Sequence, residues 1–594
     1  MYTLGISCYY HDSAAALLKD GTLIAAAQEE RFTRRKNDYR FPVRAIEFCL
    51  RQAGIEGHDL EYVAFYEKPL LKFERILLSI FASYPRSWRV FREAMIGWFD
   101  EKLWIRSTLS ERIGVPKERV LFVEHHLSHA ASALFCSPFN EAAIISVDGV
   151  GEWTTTAFGR GRADWGGSRN EILLEREIRF PHSLGLLYSA FTAFLGFEVN
   201  EGEYKVMGMA PYGQPKHVEK VEQLIRANGD GSFALNMEYF CYHYSDSRTF
   251  NSNFEKLFGP SRSPDDDFVT PLTDPGADPG SEVVRRSQYY ADVAASIQVV
   301  LEETLLKMAR HVHAQTGLRK LCLAGGVALN SVANGRILRE TPFEEVYVQP
   351  AAGDAGGALG AALYAWHVML QKPRQFVLEH CYWGEEYPEP AIRQVLQQQG
   401  IAFEELAGDR LLDRVTQELT DGSVVGWFQG RFEWGPRALG NRSILADPRR
   451  AEMKNIVNTK IKFREPFRPF APVVLEERVE EYFDGGASTR GFPARFMLSV
   501  APVRPDKRAI IPAVTHVDGS GRLQTIRREI NPRYYGVVER FGEATGVPVL
   551  LNTSFNLRGE PIVASPADAV NTFRQSGIDV LVLDRFMVRK RGTG

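Results

Sequence analysis

Three histidines lie within five residues of one another in the segment EHHLSHAASALF: His125, His126 and His129. His125 and His129 are four residues apart, so on a helix their imidazole rings share one face. Two neutral imidazoles at this spacing, completed by a carboxylate from elsewhere, form a divalent-metal site. His126 diverges by about 100° on such a helix, so we expect it to face away and act only as a second-layer or substrate contact. The alternative interpretation is a polar helix start with solvated or core-satisfied histidines.

Glycines end several apolar segments that have the length and composition of strands. Because glycine lacks a side chain, its backbone can approach a ligand closely, and its amides can cradle a phosphate. The glycines in question occur in the segments VDGVG, LAGGV and GDAGG, and they are Gly149, Gly151, Gly325, Gly326, Gly356 and Gly357. Together they predict a nucleotide site in the first part of the chain.

A second chemistry-bearing region is basic. Residues 431–468 hold ten lysines and arginines against four acidic residues, a local balance of +6 in a chain whose net charge is -3. The arginines are interleaved with glycine, proline and phenylalanine, which favours a shaped pocket over a helix face. Because guanidinium groups bind phosphate and carboxylate oxygens bidentately, we predict a polyphosphate or acyl-phosphate site here. A solvated basic surface is the alternative.

The elements that must position these residues require more than one domain, because 594 residues are too many for a single core. The first part begins as short β-rich runs joined by an Asp20-Gly21 turn. Residues 69–106 have the character of a helical insertion, with a substrate-recruiting or dimer surface as the alternative to a core cap, and residues 259–281 have that of a loop. We therefore expect an α/β protein, α+β overall, with domains at residues 1–370 and 371–594.

Composition excludes several classes of protein. A net charge of -3 gives no electrostatic reason to expect nucleic-acid binding. The six cysteines form no CxxC pair, which fits a reducing cytoplasm. The N-terminus lacks the features of a signal peptide, and no apolar run reaches the ~18 residues of a membrane span. We therefore expect a cytoplasmic protein with no nucleic-acid or membrane partner.

Eleven motifs, in order and covering essentially the whole chain, resemble the O-carbamoyltransferases of the nodulation, tobramycin and cephamycin type. They are YYHDSAAAL (9–17), QEERFTRRK (28–36), HHLSHAASA (125–133), VDGVGEW (147–153), GEYKVMGMAPYG (202–213), LAGGVALN (323–330), GDAGGALGAA (353–362), GRFEWGPRALGNRS (430–443), KIKFREPFRPFAP (460–472), HVDGSGRLQT (516–525) and LNTSFNLRGEPIV (551–563). The resemblance implies a duplicated N-terminal domain of the actin/sugar-kinase type, similar to the tRNA threonylcarbamoyl-transferase subunit. It implies a C-terminal YrdC-like domain built on a twisted α/β sheet.

The resemblance also implies an activity and its partners. Similar proteins form carbamoyl-adenylate from carbamoyl phosphate and ATP with Mg²⁺, and then transfer the carbamoyl group to a hydroxyl of a small molecule, typically a natural product or antibiotic. In similar proteins the HxxxH pair and an aspartate bind a metal, often iron, which maps onto His125, His129 and Asp354. The implied enzyme is a carbamoyltransferase, a transferase of one-carbon groups, and a homodimer stays open.

Further residues fit this two-step chemistry. His11 lies in a strand-end loop, where a neutral imidazole could take the proton of the acceptor alcohol, with Asp12 to orient it or bind the acceptor. Lys205 could meet a phosphate or carbonyl oxygen, and Asn330 and Asn334 could contact adenine or ribose.

The first half-reaction brings two anions together and so needs cationic compensation. The candidates for binding carbamoyl phosphate and ATP are Arg431, Arg437, Arg442, Lys462, Arg468, Arg522, Arg533, Asn552, Ser554 and Asn556. For the last three, a turn stabilised by their own side chains is the alternative.

Three other functions stay open. A tRNA threonylcarbamoyl-type enzyme shares these folds, but the acidic balance and the missing basic arm argue against it. The carbamoyltransferase of hydrogenase maturation carries CxxC pairs and an acylphosphatase-like domain that this sequence lacks. A non-catalytic nucleotide-binding module would leave the HxxxH pair and the basic region without a purpose.

Overall fold

The structure is a computed structural model. The residues that it describes are 1–100, 102–165 and 169–590. The chain divides into two compact units, of which the first comprises residues 1–29 and 37–378 and the second residues 30–36 and 379–594. Within the described ranges, no helix has both the length and the apolar character that crossing a bilayer requires.

The strands of the first unit are β1 (Tyr2–Ser7), β2 (Ala14–Lys19), β3 (Thr22–Gln28), β4 (Leu60–Phe65), β5 (Val120–Phe122), β6 (Glu141–Val147), β7 (Thr154–Arg162), β8 (Glu171–Arg179), β9 (Ile225–Ala227), β10 (Phe233–Leu235), β11 (Lys320–Ala324) and β12 (Glu345–Val348). The first α-helix of the chain, α1 (Glu30–Thr33), belongs to the second unit. The helices of the first unit are α2 (Val43–Ala53), α3 (Pro69–Ala82), α4 (Trp88–Asp100), α5 (Ile105–Ile113), α6 (His125–Leu134), α7 (Leu184–Phe194), α8 (Glu203–Met209), α9 (Val218–Glu222), α10 (Ser252–Phe258), α11 (Glu282–Thr316), α12 (Ser331–Glu340) and α13 (Asp354–Tyr364).

The first unit repeats one sheet topology. One sheet has the order β3-β2-β1-β4-β5 and the other the order β8-β7-β6-β11-β12. In each, the first three strands in sequence form an antiparallel meander, and the remaining two add in parallel to its first strand. This duplication is the predicted actin/sugar-kinase-like arrangement, and it confirms the α/β class.

Two helices hold the metal-site residues against these sheets. A Cβ built on Gly360 of α13 would lie 1.8 Å from the carbonyl oxygen of Ser128 in α6, so only glycine permits this approach of the two helices. A Cβ on Gly5 of β1 would lie 1.9 Å from the carbonyl oxygen of Ala358, which brings α13 equally close to the sheet. The N-termini of α6 and α13 are thereby fixed relative to each other.

The strands of the second unit are β13 (Glu404–Glu405), β14 (Val425–Phe428), β15 (Arg442–Ala446), β16 (Ala471–Leu475), β17 (Ser499–Pro502), β18 (Ser520–Ile526), β19 (Val549–Ser554), β20 (Val580–Leu583) and β21 (Phe586–Arg589). Its remaining helices are α14 (Glu389–Gln398), α15 (Asp409–Thr420), α16 (Met453–Ile456), α17 (Gly491–Arg495), α18 (Pro532–Thr545) and α19 (Pro566–Gln575). The strands form one mixed sheet in the order β13-β21-β20-β14-β15-β19-β16-β18-β17.

Both faces of this sheet are covered. Successive residues of a strand belong alternately to two separate apolar cores, one on each face. In β14, Val425 and Trp427 join the core that contains α15 and α18, whereas Phe428 joins the core that contains α14 and α19. In β20 the residues alternate in the same way. A strand buried on both sides reads as a continuous apolar run, as SVVGWF does.

The regions expected to be helix or loop agree with the structure. The insertion at residues 69–106 contains α3 and α4, and residues 259–281 contain no helix or strand.

Candidate functional site

Four side chains of the first unit converge where three elements begin or end. His125 and His129 project from the first turns of α6, Asp148 directly follows β6, and Asp354 opens α13. Each offers one ligand atom, and these four atoms lie within 4.8 Å of one another with all four residues buried. Two imidazoles and two carboxylates form a donor set suited to a first-row divalent metal.

The geometry of this cluster fits a cation. The Nε2 atoms of His125 and His129 are 3.1 Å apart, and Asp148 Oδ2 lies 2.9 Å and 3.3 Å from them. Asp354 Oδ1 lies 3.7 Å from both nitrogens and, although buried, has no hydrogen-bond partner. A buried carboxylate oxygen without a partner is unfavourable, and a bound cation would satisfy it.

The charges of the two carboxylates perturb the histidines. Burial alone would lower the pKa of His129, but its hydrogen bond to Asp148 and the negative charges of Asp148 and Asp354 raise that pKa to about 9. Burial alone would raise the pKa of Asp148, yet His125 and His129 hold it well below its usual range. His129 therefore carries a proton that a bound dication would displace.

Asp148 is a member of the cluster that the sequence analysis missed. Its Oδ1 accepts a hydrogen bond of 2.9 Å from the amide of Gly326, which leaves Oδ2 to face the histidines. Gly325 has a φ of +88°, and a Cβ there would lie 2.2 Å from the carbonyl oxygen of Val147, so the turn that delivers this amide requires glycine. The sequence feature that could have indicated Asp148 is its position directly after a buried strand.

His126 faces away from the cluster. Its Nδ1 lies 2.9 Å from Ser146 Oγ, and its Nε2 lies 2.9 Å from the carbonyl oxygen of Thr154. Burial, together with the neighbouring His125 and His129, lowers the pKa of His126 to about 3, so the ring is neutral and holds α6 against β6 and β7.

His11 lies at the edge of the cluster. Its Nδ1 is 3.1 Å from Asp12 Oδ2, and its Nε2 is 4.0 Å from Asp354 Oδ2. Asp12 has a φ of +53° and Tyr9 a φ of +73°, a backbone conformation that non-glycine residues seldom adopt. A strained loop thus presents His11, with one ring nitrogen held by Asp12 and the other directed toward the cluster.

Gly325 and Gly326 form the turn beside Asp148, and the other four predicted nucleotide glycines form two pairs. Gly149 and Gly151 follow Asp148, and a Cβ on Gly151 would lie 3.0 Å from the His125 side chain. Gly356 and Gly357 lie inside α13, where a Cβ would approach the Ala351 carbonyl oxygen to 2.1 Å and the Tyr66 ring to 2.9 Å. Helix packing accounts for these last two glycines, and their contact with a nucleotide stays a prediction.

The three remaining residues predicted for the transfer site, Asn330, Asn334 and Lys205, contact other residues of the chain. Asn330 caps α12, where its side chain accepts from the Ala333 amide, and it also pairs with Gln298. The Asn334 side chain donates to the carbonyl oxygen of Ala328 at 2.8 Å. Lys205 Nζ lies 5.4 Å from the centre of the Phe197 ring.

A second cluster occupies the second unit around Lys462. The Nζ of this buried lysine donates to Asn556 Oδ1 at 2.7 Å, to the Asn556 carbonyl oxygen at 2.9 Å and to Ser554 Oγ at 3.2 Å. Ser554 Oγ in turn donates to Asn556 Oδ1 at 2.7 Å. The structure therefore brings together three of the predicted phosphate-binding residues, two of them at the end of β19.

Several other cations surround Lys462. Burial lowers the pKa of Lys462 well below its usual range, and the positive charges of Arg464, Arg468 and Lys36 lower it further. Arg468 was predicted, whereas Arg464 and Lys36 were not, although Arg464 lies only two residues beyond Lys462. An anion bound among these cations would relieve their mutual repulsion.

Other arginines of the basic region support the backbone. Arg442 is fully buried, stacks 3.6 Å from the centre of the Phe428 ring, and donates to carbonyl oxygens that include those of Asn441 and Gly430. Arg431 donates to the carbonyl oxygens of Gly384 and Trp383 at 2.7 Å and 2.8 Å. Backbone carbonyl oxygens are therefore the partners of these two guanidinium groups.

The remaining predicted residues of this unit are dispersed. Arg533 pairs with Asp584, and the Asn552 side chain donates to Gln524 Oε1 at 2.6 Å. Arg437 and Arg522 are half-buried. Burial lowers the pKa of His516 to about 4; the charge of Asp518 raises this pKa, and the charge of Arg522 lowers it.

Comparison with known proteins identifies the family. The family model described as Carbamoyltransferase N-terminus matches residues 2–363, and the one described as Carbamoyltransferase C-terminus matches residues 416–590. An uncharacterized protein of Synechocystis sp. is 47% identical over 624 aligned residues, which cover 99% of this chain and 97% of that protein. Nodulation protein NolNO of Sinorhizobium fredii is 39% identical over 590 residues, covering 98% of this chain and 79% of that protein.

Among solved structures, component A of (R)-2-hydroxyglutaryl-CoA dehydratase from Acidaminococcus fermentans is 16% identical, with a TM-score of 0.30 over 61% of this chain and 97% of that chain. So low a score says nothing about activity. The two family models, in contrast, follow one another along nearly the whole sequence, in the order of their names. The chain therefore belongs to the carbamoyltransferase family of enzymes.

Proposed function

We propose that the protein is an ATP-dependent O-carbamoyltransferase that forms carbamoyl-adenylate and then carbamoylates a hydroxyl of a small molecule. The observation that carries this proposal is the cluster of His125, His129, Asp148 and Asp354 with His11 at its edge. Such a cluster offers a cation site and a proton acceptor side by side, which are the two needs of acyl transfer to an alcohol.

We assign the first half-reaction to the Lys462 cluster of the second unit. Carbamoyl phosphate, ATP and water balance to carbamoyl-adenylate, phosphate and pyrophosphate. Lys462, Arg464 and Arg468 would compensate the charges of the two anionic substrates, with Mg²⁺ accompanying ATP. Ser554 and Asn556 would supply neutral hydrogen bonds to the carbamoyl amide or a phosphate oxygen.

We assign the second half-reaction to the first unit. The acceptor oxygen attacks the carbamoyl carbon, the bond from that carbon to the adenylate oxygen breaks, and AMP leaves. The hydroxyl proton passes to His11 Nε2, while Asp12 holds Nδ1. A dication bound by the four cluster residues would neutralise the charge of the adenylate phosphate, and iron(II) is the metal we expect there.

The state of His11 follows from the same charges. Burial alone would lower the pKa of His11, but Asp354 and the hydrogen bond to Asp12 raise it to about 10. A dication on Asp354 and Asp148 would offset the charges of these two carboxylates, including that of Asp354, which raises this pKa most. His11 can then be neutral at physiological pH, as a proton acceptor must be.

The decisive test is release of pyrophosphate from ATP that depends on carbamoyl phosphate. Absence of this activity in the purified, metal-loaded protein would contradict the proposal. A screen of hydroxyl-bearing acceptors, read as the mass gained by the product, then identifies the acceptor class.

The two half-reactions can be separated at His11. We expect His11→Asn to abolish carbamoyl transfer and to retain carbamoyl-phosphate-dependent pyrophosphate release. The control is His58→Asn, which changes a histidine with an exposed side chain elsewhere in the same unit. If both activities fall together in His11→Asn, His11 is not the proton acceptor.

The complementary variant lies in the second unit. We expect Arg468→Ala to lose pyrophosphate release, whereas Arg490→Ala, which removes an exposed guanidinium of the same unit, should retain it. Normal adenylation by Arg468→Ala would place the phosphate site elsewhere.

A further inference from the structure

Helix α3 buries two charged residues, Lys72 and Arg75, and exposes several large apolar side chains. The two charged residues lie on its inner face. There Lys72 Nζ pairs with Glu67 Oε2 at 2.6 Å, and Arg75 donates to the carbonyl oxygen of Gly151 at 2.9 Å. These contacts fix α3 to the first unit beside the metal cluster. They reverse the usual arrangement, in which a surface helix turns its polar face to water.

The outer face of α3 is apolar. Leu71, Leu78 and Phe81 repeat at helical spacing on this face, and Leu70 extends it at the N-terminal end. The exposed Glu74 lies on the same face, between Leu71 and Leu78. Leu70 is 71% exposed and Phe81 64% exposed. Exposing several large apolar side chains on one helix face is unfavourable, so a partner that covers them gains free energy.

The turn after α3 and the start of α4 extend this surface with aromatic and basic residues. Tyr84 and Trp88 are 67% and 59% exposed, and Ile96 lies two turns beyond Trp88 on the outer face of α4. Eight of the eighteen exposed large apolar side chains in the described ranges fall within residues 70–104. We call the outer surface of α3, the turn and α4 the hairpin surface.

The exposed charges of α3, the turn and the first half of α4 carry a small positive excess, with three arginines against Glu74 and Glu93. Arg86, Arg89 and Arg92 are exposed beside Tyr84 and Trp88. The acidic residue facing them on α4 is Glu93, which pairs with Arg89 at 3.2 Å. Asp246 and Arg248, exposed on the adjoining loop, add one charge of each sign.

We propose that the hairpin surface binds an anionic lipid membrane. Interfacial helices place leucine, phenylalanine and tryptophan among the acyl chains, and arginine beside acidic headgroups. Tyrosine and tryptophan at the turn match the composition of the membrane–water boundary. This peripheral binding needs no membrane span, so the proposal differs from the expectation of no membrane partner, which rested on the absence of spans.

Charge argues against a second copy of the chain as the occupant. In a twofold-symmetric contact the same patch meets itself, so the contact would bring six arginines of the two copies into one interface. An anionic lipid surface, in contrast, attracts each of these charges.

The test is sedimentation of the full chain with vesicles of phosphatidylcholine, alone or mixed with phosphatidylglycerol. We expect sedimentation with the mixed vesicles that falls at high salt, and much weaker sedimentation with phosphatidylcholine alone. Arg86→Gln and Arg92→Gln should each weaken binding to the mixed vesicles roughly fivefold.

A matched pair of leucine variants isolates the apolar contribution. Leu78 is 49% exposed on α3, and Leu272 is 60% exposed on a loop outside the hairpin surface. Leu78→Asp should lose most vesicle binding and Leu272→Asp should lose none, with thermal unfolding showing that both variants are folded. Vesicle binding that is absent in the wild type, or equal in the two leucine variants, overturns the proposal. So does a wild-type dimer that Leu78→Asp dissociates without any vesicle binding.

Discussion

Replacing Asp148 by asparagine tests whether the metal cluster has four members. The substitution preserves the size of the side chain and an oxygen that can accept from the Gly326 amide, which now lies 2.9 Å from Asp148 Oδ1. It removes one of the two negative charges that face His125 and His129. Changing a residue that merely supports a metal ligand weakens affinity about 10- to 100-fold. Because Asp148 Oδ2 itself faces both imidazoles, we expect a loss of at least about 100-fold, or roughly 2.7 kcal/mol.

The assay is competition between the protein and a chelator for Fe²⁺, Mn²⁺ or Zn²⁺, with the retained metal counted by mass spectrometry. Asp354→Asn should lose affinity to a similar extent. Glu152→Gln is the matched control, because Glu152 accepts from the His125 backbone amide at 3.1 Å but lies outside the cluster. If Asp148→Asn keeps the affinity of the wild type while Asp354→Asn loses it, the site has three protein ligands and the assignment of Asp148 is wrong.

Three further predictions concern stability. Because the pKa of Lys462 is depressed in the folded state, the unfolded chain binds more protons up to about pH 10.4, so stability rises with pH over that window. Relative to Lys462→Met, the unfolding free energy of the wild type should therefore increase as the pH rises; a pH-independent difference between the two would contradict this. Glu433→Ala should destabilise the second unit by roughly 3–5 kcal/mol in denaturant unfolding, because the amides of Leu439, Asn441 and Arg442 lose one shared buried acceptor. Glu433→Gln should cost clearly less, and equal losses would argue against this role. Gly325→Ala should lower the melting temperature of the first unit and its metal affinity together, because its Cβ would meet the Val147 carbonyl oxygen at 2.2 Å. An unchanged melting temperature would show that the turn adapts.

Local spacing was sufficient to predict the paired histidines and the helix that carries them. It could not supply Asp148 or Asp354, because their approach to His125 depends on how β6 and α13 are placed in space, 23 and 229 residues away along the chain. The family resemblance supplied Asp354 alone. The alternating strands of the first sheet were predictable because each run is short and bounded by turn residues.

The basic region shows a different limit. Composition predicted a phosphate site in this region, which stays a prediction, and composition could not indicate which of the cations donate to backbone carbonyls. Arg442 and Lys462 occur in similar motifs, yet Arg442 donates to main-chain oxygens, whereas Lys462 lies among Arg464 and Arg468 and donates to the side chains of Ser554 and Asn556 as well as to the Asn556 carbonyl oxygen. That difference arises from tertiary packing, which spacing does not encode.

The assignment of residues 30–36 to the second unit has a consequence for biosynthesis. Within that unit, Arg31 donates to the carbonyl oxygen of Gly435 at 2.6 Å, and Arg34 donates to those of Pro561 and Ile562 at 2.8 Å and 2.7 Å. These arginines leave the ribosome before most of the first unit, yet their acceptors are translated hundreds of residues later. Residues 30–36 cannot make these contacts until more than 340 further residues have been translated, so the second unit completes its folding only near the end of translation. Residues 379–594 expressed alone therefore lack part of their own fold.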